Sequence, residues 1–208
     1  MEPIHCDNHV LVLNKPPGIA TQPDFHEQAK AWVKKAFNKP GAVFLEPVHR
    51  LDKPVGGLVL FARTSKALSR LNEAMRERQV HKIYHAIVEG KLEGSGRLKH
   101  TLLHGDHRAI VDPSGKEALL DYRVLETGED QTLVEIELLT GRYHQIRAQF
   151  AAIGHPIVGD QKYGSRSKKD AIYLAHVKLS FPHPTTKEML VLCHQSFHKK
   201  MAQDFSAR

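Results

Sequence analysis

The stretch Ala118-Leu-Leu-Asp-Tyr-Arg-Val-Leu-Glu-Thr-Gly-Glu-Asp-Gln-Thr-Leu-Val-Glu-Ile-Glu-Leu-Leu139 decides the fold class. Its two halves, Ala118–Leu125 and Thr132–Leu139, are rich in strand formers, and Thr127-Gly-Glu-Asp130 between them supplies hairpin chemistry. Strands joined by so short a link run antiparallel. Just upstream, Lys82-Ile-Tyr-His-Ala-Ile-Val-Glu-Gly90 mixes alternation with β-branched residues and stops at a glycine, which predicts another strand with Tyr84, Ala86 and Val88 on one face. A last pair is predicted at Ile172–Phe181 and Met189–Cys193, divided by Pro182-His-Pro-Thr-Thr186. The segment Lys91–Lys116 is polar, with Gly94-Ser-Gly96 and Asp112-Pro-Ser-Gly115 as turns, and predicts loops and short strands.

Toward the amino terminus, the apolar run Val10–Leu13 ends in Asn14-Lys-Pro-Pro-Gly18, a strand followed by a rigid loop. Ala29, Trp32, Val33 and Ala36 recur at helical spacing between Glu27 and Phe37. Gly57–Ala62 reads as a buried strand running into a helix capped by Thr64 or Ser65, with Leu68, Leu71, Ala74 and Met75 as its apolar stripe. A further helix begins near Tyr143, carries Ile146, Phe150 and Ile153 inward, and ends at Gly154-His-Pro156. Strands and helices do not alternate regularly. The expectation is one α+β domain over residues 1–208, a mixed, mainly antiparallel sheet with flanking helices and loops.

With 208 residues, 41% of them hydrophobic, the chain can bury a core, which excludes disorder. Thirty Lys and Arg against 23 Asp and Glu leave a net charge of +7, which favours a polyanionic partner, nucleic acid first, although so modest a charge also serves solubility. Cys6 and Cys193 stand near opposite ends, so neither a disulfide framework nor a thiolate metal site is indicated. The amino terminus has no signal-peptide character and no apolar run reaches membrane-spanning length, so a soluble cytoplasmic protein is expected.

Three constellations could carry chemistry. In His49-Arg-Leu-Asp52, ahead of the Gly56-Gly57 turn, Asp52 is a candidate nucleophile, base or ion-pair member, and equally describes a turn aspartate beside a surface arginine. In Thr140-Gly-Arg-Tyr-His-Gln-Ile-Arg147, Arg142 sits near a helix start from which it could reach a carboxylate and keep Asp52 ionised, while Arg147 could bind phosphate. In Lys82-x-Tyr84, the tyrosine could lie against a planar ligand with its hydroxyl available for proton transfer, or simply be a core residue. His81/His85 and His100/His104 are four apart but read as strand and loop, which argues against a metal site. Neither the phosphate-loop pattern nor the dinucleotide-binding glycine pattern occurs, so nucleotide-driven chemistry is not supported.

Taken together, the blocks Asp7 through Asn14-Lys-Pro-Pro-Gly18, His49–Asp52, Lys82–Gly90, Thr140–Arg147, Gly154–Gly164 and Leu179-Ser-Phe-Pro-His-Pro184 resemble, in order, those of the RluA-type RNA pseudouridine synthases, from about Ile4 to Pro184. The resemblance implies the catalytic fold of those enzymes and a cofactor-free isomerisation: a uridine in transfer or ribosomal RNA is flipped out, its base detached, rotated and rejoined through C5. It assigns Asp52 to the essential aspartate, as nucleophile or base, Tyr84 to the tyrosine that stacks on the base and suits C5 proton removal, and Arg142 to the partner of the carboxylate. Arg50 matches the residue that helps hold the flipped-out conformation, and His49, Arg147 and Leu174 complete the expected substrate contacts. No metal or cofactor is expected, and a monomer is. Val55 and Gly56 stand where the family usually has Thr and Ser, and Leu174-Ala-His176 replaces a common L-H-A, which displaces the histidine by one position. The chain begins at the catalytic domain without the S4 domain many relatives carry, so RNA capture is expected to rest on the domain's own surface. A non-catalytic RNA-binding module and a His-rich metallohydrolase are the rival readings.

Overall fold

In a computed structural model of the chain, which describes residues 1–167, 169, 171–194 and 205, the Asp7 carboxylate shapes the first turn. It accepts from the backbone N–H groups of His9 and Val10 at 2.7 and 2.8 Å and so folds β1 (Pro3–Cys6) back on β2 (Val10–Lys15). Then come α1 (His26–Ala36), which buries Ala29 and Val33, the two-residue β3 (Glu46–Pro47), and β4 (Gly56–Ala62). β4 pairs antiparallel with both β2 and β3 and is buried at every position, which is why its sequence is a continuous apolar run. In α2 (Ser65–Arg76) the Thr64 hydroxyl caps the first turn by accepting from the Ala67 N–H at 3.1 Å. Of the predicted stripe, Leu71 and Ala74 are buried against Val10, Val12, Leu58 and Leu60 together with Ala67, which the sequence reading left out, while Leu68 and Met75 pack there only partly buried. Each large aliphatic buried there contributes about 1.5–3 kcal/mol.

The next strands are β5 (His81–Glu89), β6 (Ser95–His104), β7 (Ala109–Val111), β8 (Lys116–Thr127) and β9 (Gln131–Leu138). They lie in the order β5-β9-β8-β6-β7, every pair antiparallel, and the β8–β9 hairpin closes through Gly128 N–H to the Gln131 carbonyl at 2.9 Å. β6 is a ten-residue strand where the sequence predicts only loops and short strands. It pairs with β8 over eight residues but buries only Leu98 and Leu102, so its polar composition reflects a largely uncovered strand. α3 (Gln145–Ala152) sets Ala148 against Leu102, Ala109 and Ala118, and Phe150 edge-on to Tyr122. It starts two residues after Tyr143, because His144 takes a left-handed conformation (φ 50°).

β10 (Leu174–Pro182) and β11 (Met189–Cys193) close the described chain as an antiparallel pair. The contacts divide into two compact units, Met1–His81 with Lys178–His194, and Lys82–Val177 with the carboxy-terminal segment that includes Phe205. In the first, Leu179 and Phe181 complete the core under α2; in the second, Ile87, Leu133, Val158, Ala175 and Val177 pack with Phe205. The class is α+β with a mainly antiparallel sheet, as the sequence predicts.

Candidate active site

Asp52 belongs to the first unit, on the loop between β3 and β4. The entry is fixed by Val48 N–H to the Leu60 carbonyl at 2.9 Å and by Leu60 N–H donating to His49 Nε2 at 3.2 Å, which leaves the proton of the neutral His49 ring on Nδ1. Both neighbours of Asp52 are then held. The Thr21 hydroxyl donates to the Leu51 carbonyl at 2.9 Å and accepts from the Leu51 N–H at 3.0 Å. On the other side, the Lys53 carbonyl accepts from Gly18 N–H at 2.8 Å and from Lys15 Nζ at 3.3 Å. The Asp52 carbonyl accepts from Val55 N–H at 3.0 Å, which closes the turn. Gly18 (φ 89°) and Gly57 (φ 121°) take backbone conformations that side chains disfavour, and so let the Lys-Pro-Pro-Gly loop and the start of β4 meet at this point.

Lys15 is fully buried, and its ammonium also donates to the carbonyls of Ile19 at 2.7 Å and Pro16 at 3.1 Å. Burial lowers its pKa to about 8, and the negative charge of Asp52 acts in the opposite direction. The same attraction favours the ionised Asp52. Leu51 and Val55 are buried on either side of Asp52, so apolar burial adds to the hydrogen bonds that hold this loop. Arg50 is exposed, without a hydrogen bond or ion pair among the described residues.

Tyr84, Arg142, Arg147 and Leu174 belong to the second unit. Tyr84, 5% exposed on β5, stacks on the His176 ring with centroids 4.6 Å apart and planes 19° apart. His176 is fully buried on β10, two residues after the buried Leu174. The sequence reading named Leu174 as a substrate contact and His176 only as a displaced histidine; the two-residue strand period puts both side chains on one face of β10.

Arg142 is exposed, in the turn between β9 and α3. Gln145 builds that turn: its Nε2 donates to the Leu119 carbonyl at 2.9 Å, and its Oε1 accepts from the Thr140 hydroxyl at 2.8 Å and the Arg142 N–H at 3.0 Å. Arg142 Nε donates to the Glu117 carbonyl at 2.9 Å, and its two terminal nitrogens have no partner among the described residues. Arg147 lies differently from the expectation. It is 4% exposed, with Nε and Nη2 donating to the two Asp160 oxygens at 2.7 and 2.9 Å and the guanidinium over the Tyr163 ring. Asp160, not a phosphate, takes this arginine, because the helix turns it inward toward the Gly-Asp-x-x-Tyr-Gly segment.

His144 is also buried. Tyr163 Oη accepts from Ala109 N–H at 2.7 Å and donates to His144 Nδ1 at 3.0 Å. Burial, with Arg147 and Lys162 nearby, lowers the His144 pKa to about 3, so the ring is neutral. Among the described residues no three His, Cys, Asp or Glu side chains converge as a metal site would need, and no described helix is long and apolar enough to cross a membrane.

An α+β fold with a pinned aspartate loop in one unit and a buried tyrosine on a strand in the other defines the class. The RNA pseudouridylate synthase family matches residues 9–152, and the chain belongs to that family. It is 36% identical over 200 residues to the dual-specificity RNA pseudouridine synthase RluA of Pasteurella multocida (strain Pm70), covering 90% of this chain and 89% of that protein. It is 34% identical over 198 residues to the ribosomal large subunit pseudouridine synthase C of Vibrio parahaemolyticus serotype O3:K6 (strain RIMD 2210633), covering 90% of this chain but only 63% of that relative. The solved structure of Human RNA Pseudouridylate Synthase Domain Containing 4 shares the fold, with a TM-score of 0.83 over 98% of this chain and 92% of that one at 22% identity.

Proposed function

We propose that the chain isomerises uridine to pseudouridine in ribosomal or transfer RNA, with Asp52 supplying the reacting carboxylate. The observation that carries this is the Asp52 loop, in which both flanking residues are clamped by buried groups while a lysine cation favours the ionised acid. Such rigidity is what a group that must meet one sugar carbon requires. The names of the two relatives, an RNA pseudouridine synthase and a ribosomal large subunit pseudouridine synthase, support RNA as the substrate class.

Asp52 either adds to C1′ or removes a proton from C2′. In both courses the N1–C1′ bonding pair leaves with the base, which rotates and rejoins through C5 as the Asp52–C1′ bond breaks in the first course or the proton returns to C2′ in the second. A proton then leaves C5 and one is taken up at N1, so nothing is oxidised, reduced or consumed. Tyr84, backed by His176, faces the base and takes the C5 proton. Arg50 and the terminal nitrogens of Arg142 contact the anionic groups that the flipped nucleotide brings. The chain works as a monomer, without membrane attachment or metal.

Asp52→Asn tests the assignment, because it conserves size and leaves Thr21, Lys15 and Gly18 their backbone partners. The variant is expected to fold and bind RNA with wild-type affinity and to form no pseudouridine in an unmodified large-subunit ribosomal RNA transcript or in unmodified transfer RNA. Wild-type turnover by Asp52→Asn refutes the role.

A further inference from the structure

We propose that Lys82 is a catalytic residue whose ammonium stabilises the negative charge that collects on the uracil oxygens when the glycosidic bond opens. The inference rests on the function proposed above and assigns a second charged group to it.

Lys82 is 6% exposed on β5, two residues before Tyr84. The strand period places both side chains on one face with Cα atoms about 7 Å apart. Lys82 Nζ makes no hydrogen bond and no ion pair among the described residues, and burial alone lowers its pKa, with no compensating charge. The contrast is Lys15, equally buried, whose ammonium is given three carbonyl acceptors. A buried cation without a partner is costly, and the chain has 23 carboxylates from which one could have been supplied. The ammonium also lies against the Thr140–Arg142 turn: a Cβ on Gly141 would stand 3.8 Å from Nζ. Glycine there leaves room between the lysine and the segment carrying Arg142.

These features fit an anion that is absent from the resting protein and arises beside the tyrosine. Whether Asp52 adds to C1′ or removes the C2′ proton, the pair of the broken N1–C1′ bond passes to uracil and spreads onto O2 and O4. A neutral base offers Lys82 only a carbonyl; the detached base offers a full negative charge. An interaction that strengthens along the reaction raises the rate rather than the affinity. When C5 bonds to C1′ and the proton balance is restored, the base is neutral again and is released. A phosphodiester is the less fitting ligand, because exposed cations such as Arg50 and Arg142 suit the backbone, whereas Lys82 is buried on the face of β5 that carries Tyr84.

The test uses the full chain with unmodified large-subunit ribosomal RNA and transfer RNA transcripts, under single-turnover conditions with enzyme in excess. Lys82→Met is expected to lower the rate constant about 10²- to 10³-fold while RNA Kd stays within about twofold. Its melting temperature is expected to rise, since an unpaired buried cation is removed. Lys82→Gln, which keeps a donor without the charge, is expected to be as slow, and Lys82→Arg to recover about tenfold. The wild-type rate is expected to fall at alkaline pH as Lys82 loses its proton, and Lys82→Met to lack that fall. Unchanged rates in Lys82→Met and Lys82→Gln overturn the inference, as does weakened RNA binding with an unchanged rate at saturation, and either result leaves the function intact if Asp52→Asn is still inactive. A wild-type chain that forms no pseudouridine in any of these RNAs overturns both.

Discussion

Arg147 and His144 stand three residues apart and show how burial sorts side chains that look alike in a sequence. Both are basic residues of one motif, yet Arg147 keeps its charge through a bidentate pair with Asp160, and His144 gives its charge up. The folded chain holds the His144 imidazole neutral down to about pH 3, whereas in the unfolded chain it takes up a proton near 6.5. Acidification through that window therefore favours unfolding, because only the unfolded state gains the proton. His144→Asn, which tolerates the left-handed backbone, is expected to flatten the loss of stability between pH 6 and 4 by on the order of 2 kcal/mol. Melting curves across that range measure it, and parallel pH profiles for the two proteins contradict it. Asp52 and Tyr84 could be singled out as candidates from the sequence because each stands in a short local pattern, His-Arg-Leu-Asp and Lys-x-Tyr. The burial of Arg147 could not, since it depends on Asp160 arriving thirteen residues later and turning inward.

At the scale of elements, the loop between β3 and β4 depends on a residue far away in the chain. The Thr21 hydroxyl serves both backbone groups of Leu51, next to Asp52. Thr21→Val keeps the shape but leaves a buried N–H and a buried carbonyl unpaired, a cost of about 1–3 kcal/mol. Chemical denaturation should show that loss, and the turnover rate should fall while RNA affinity holds; wild-type stability and rate would show that Leu51 is held by other means. No sequence pattern marks Thr21, because its partner lies thirty residues away. The elements themselves were far more legible: the apolar run of β4, the stripe of α2 and the β8–β9 hairpin follow from local periodicity. β6 escaped because a strand with little cover has the composition of a loop.

For the whole molecule, the net charge of +7 can be weighed against the individual cations. Lys15, Lys82 and Arg147 are buried, so under the proposed function the phosphate contacts are assigned to exposed residues such as Arg50 and Arg142. RNA affinity is expected to fall steeply as potassium chloride is raised, and Arg50→Gln to make the slope of log Kd against log salt shallower by about 0.7, the share of one phosphate on a single strand. Equal slopes would remove Arg50 from the phosphate contacts. Family and class could be read from the order of the motifs, which fall on the turn after β2, the loop before β4, the strand β5 and the turn into α3.

The first unit is built from Met1–His81 and Lys178–His194, with all of Lys82–Val177 between its two pieces. During synthesis Val10, Val12, Leu58 and Leu60 leave the ribosome long before Leu179 and Phe181, which share their core. The half of the protein that carries Asp52 is thus made first and finished last. Closing so long a loop is slow compared with the local hairpins of the second unit. The aspartate loop reaches its final rigidity only after the tyrosine-bearing strands have been made, so a chain cut short before β10 and β11 would carry Asp52 on an incomplete core.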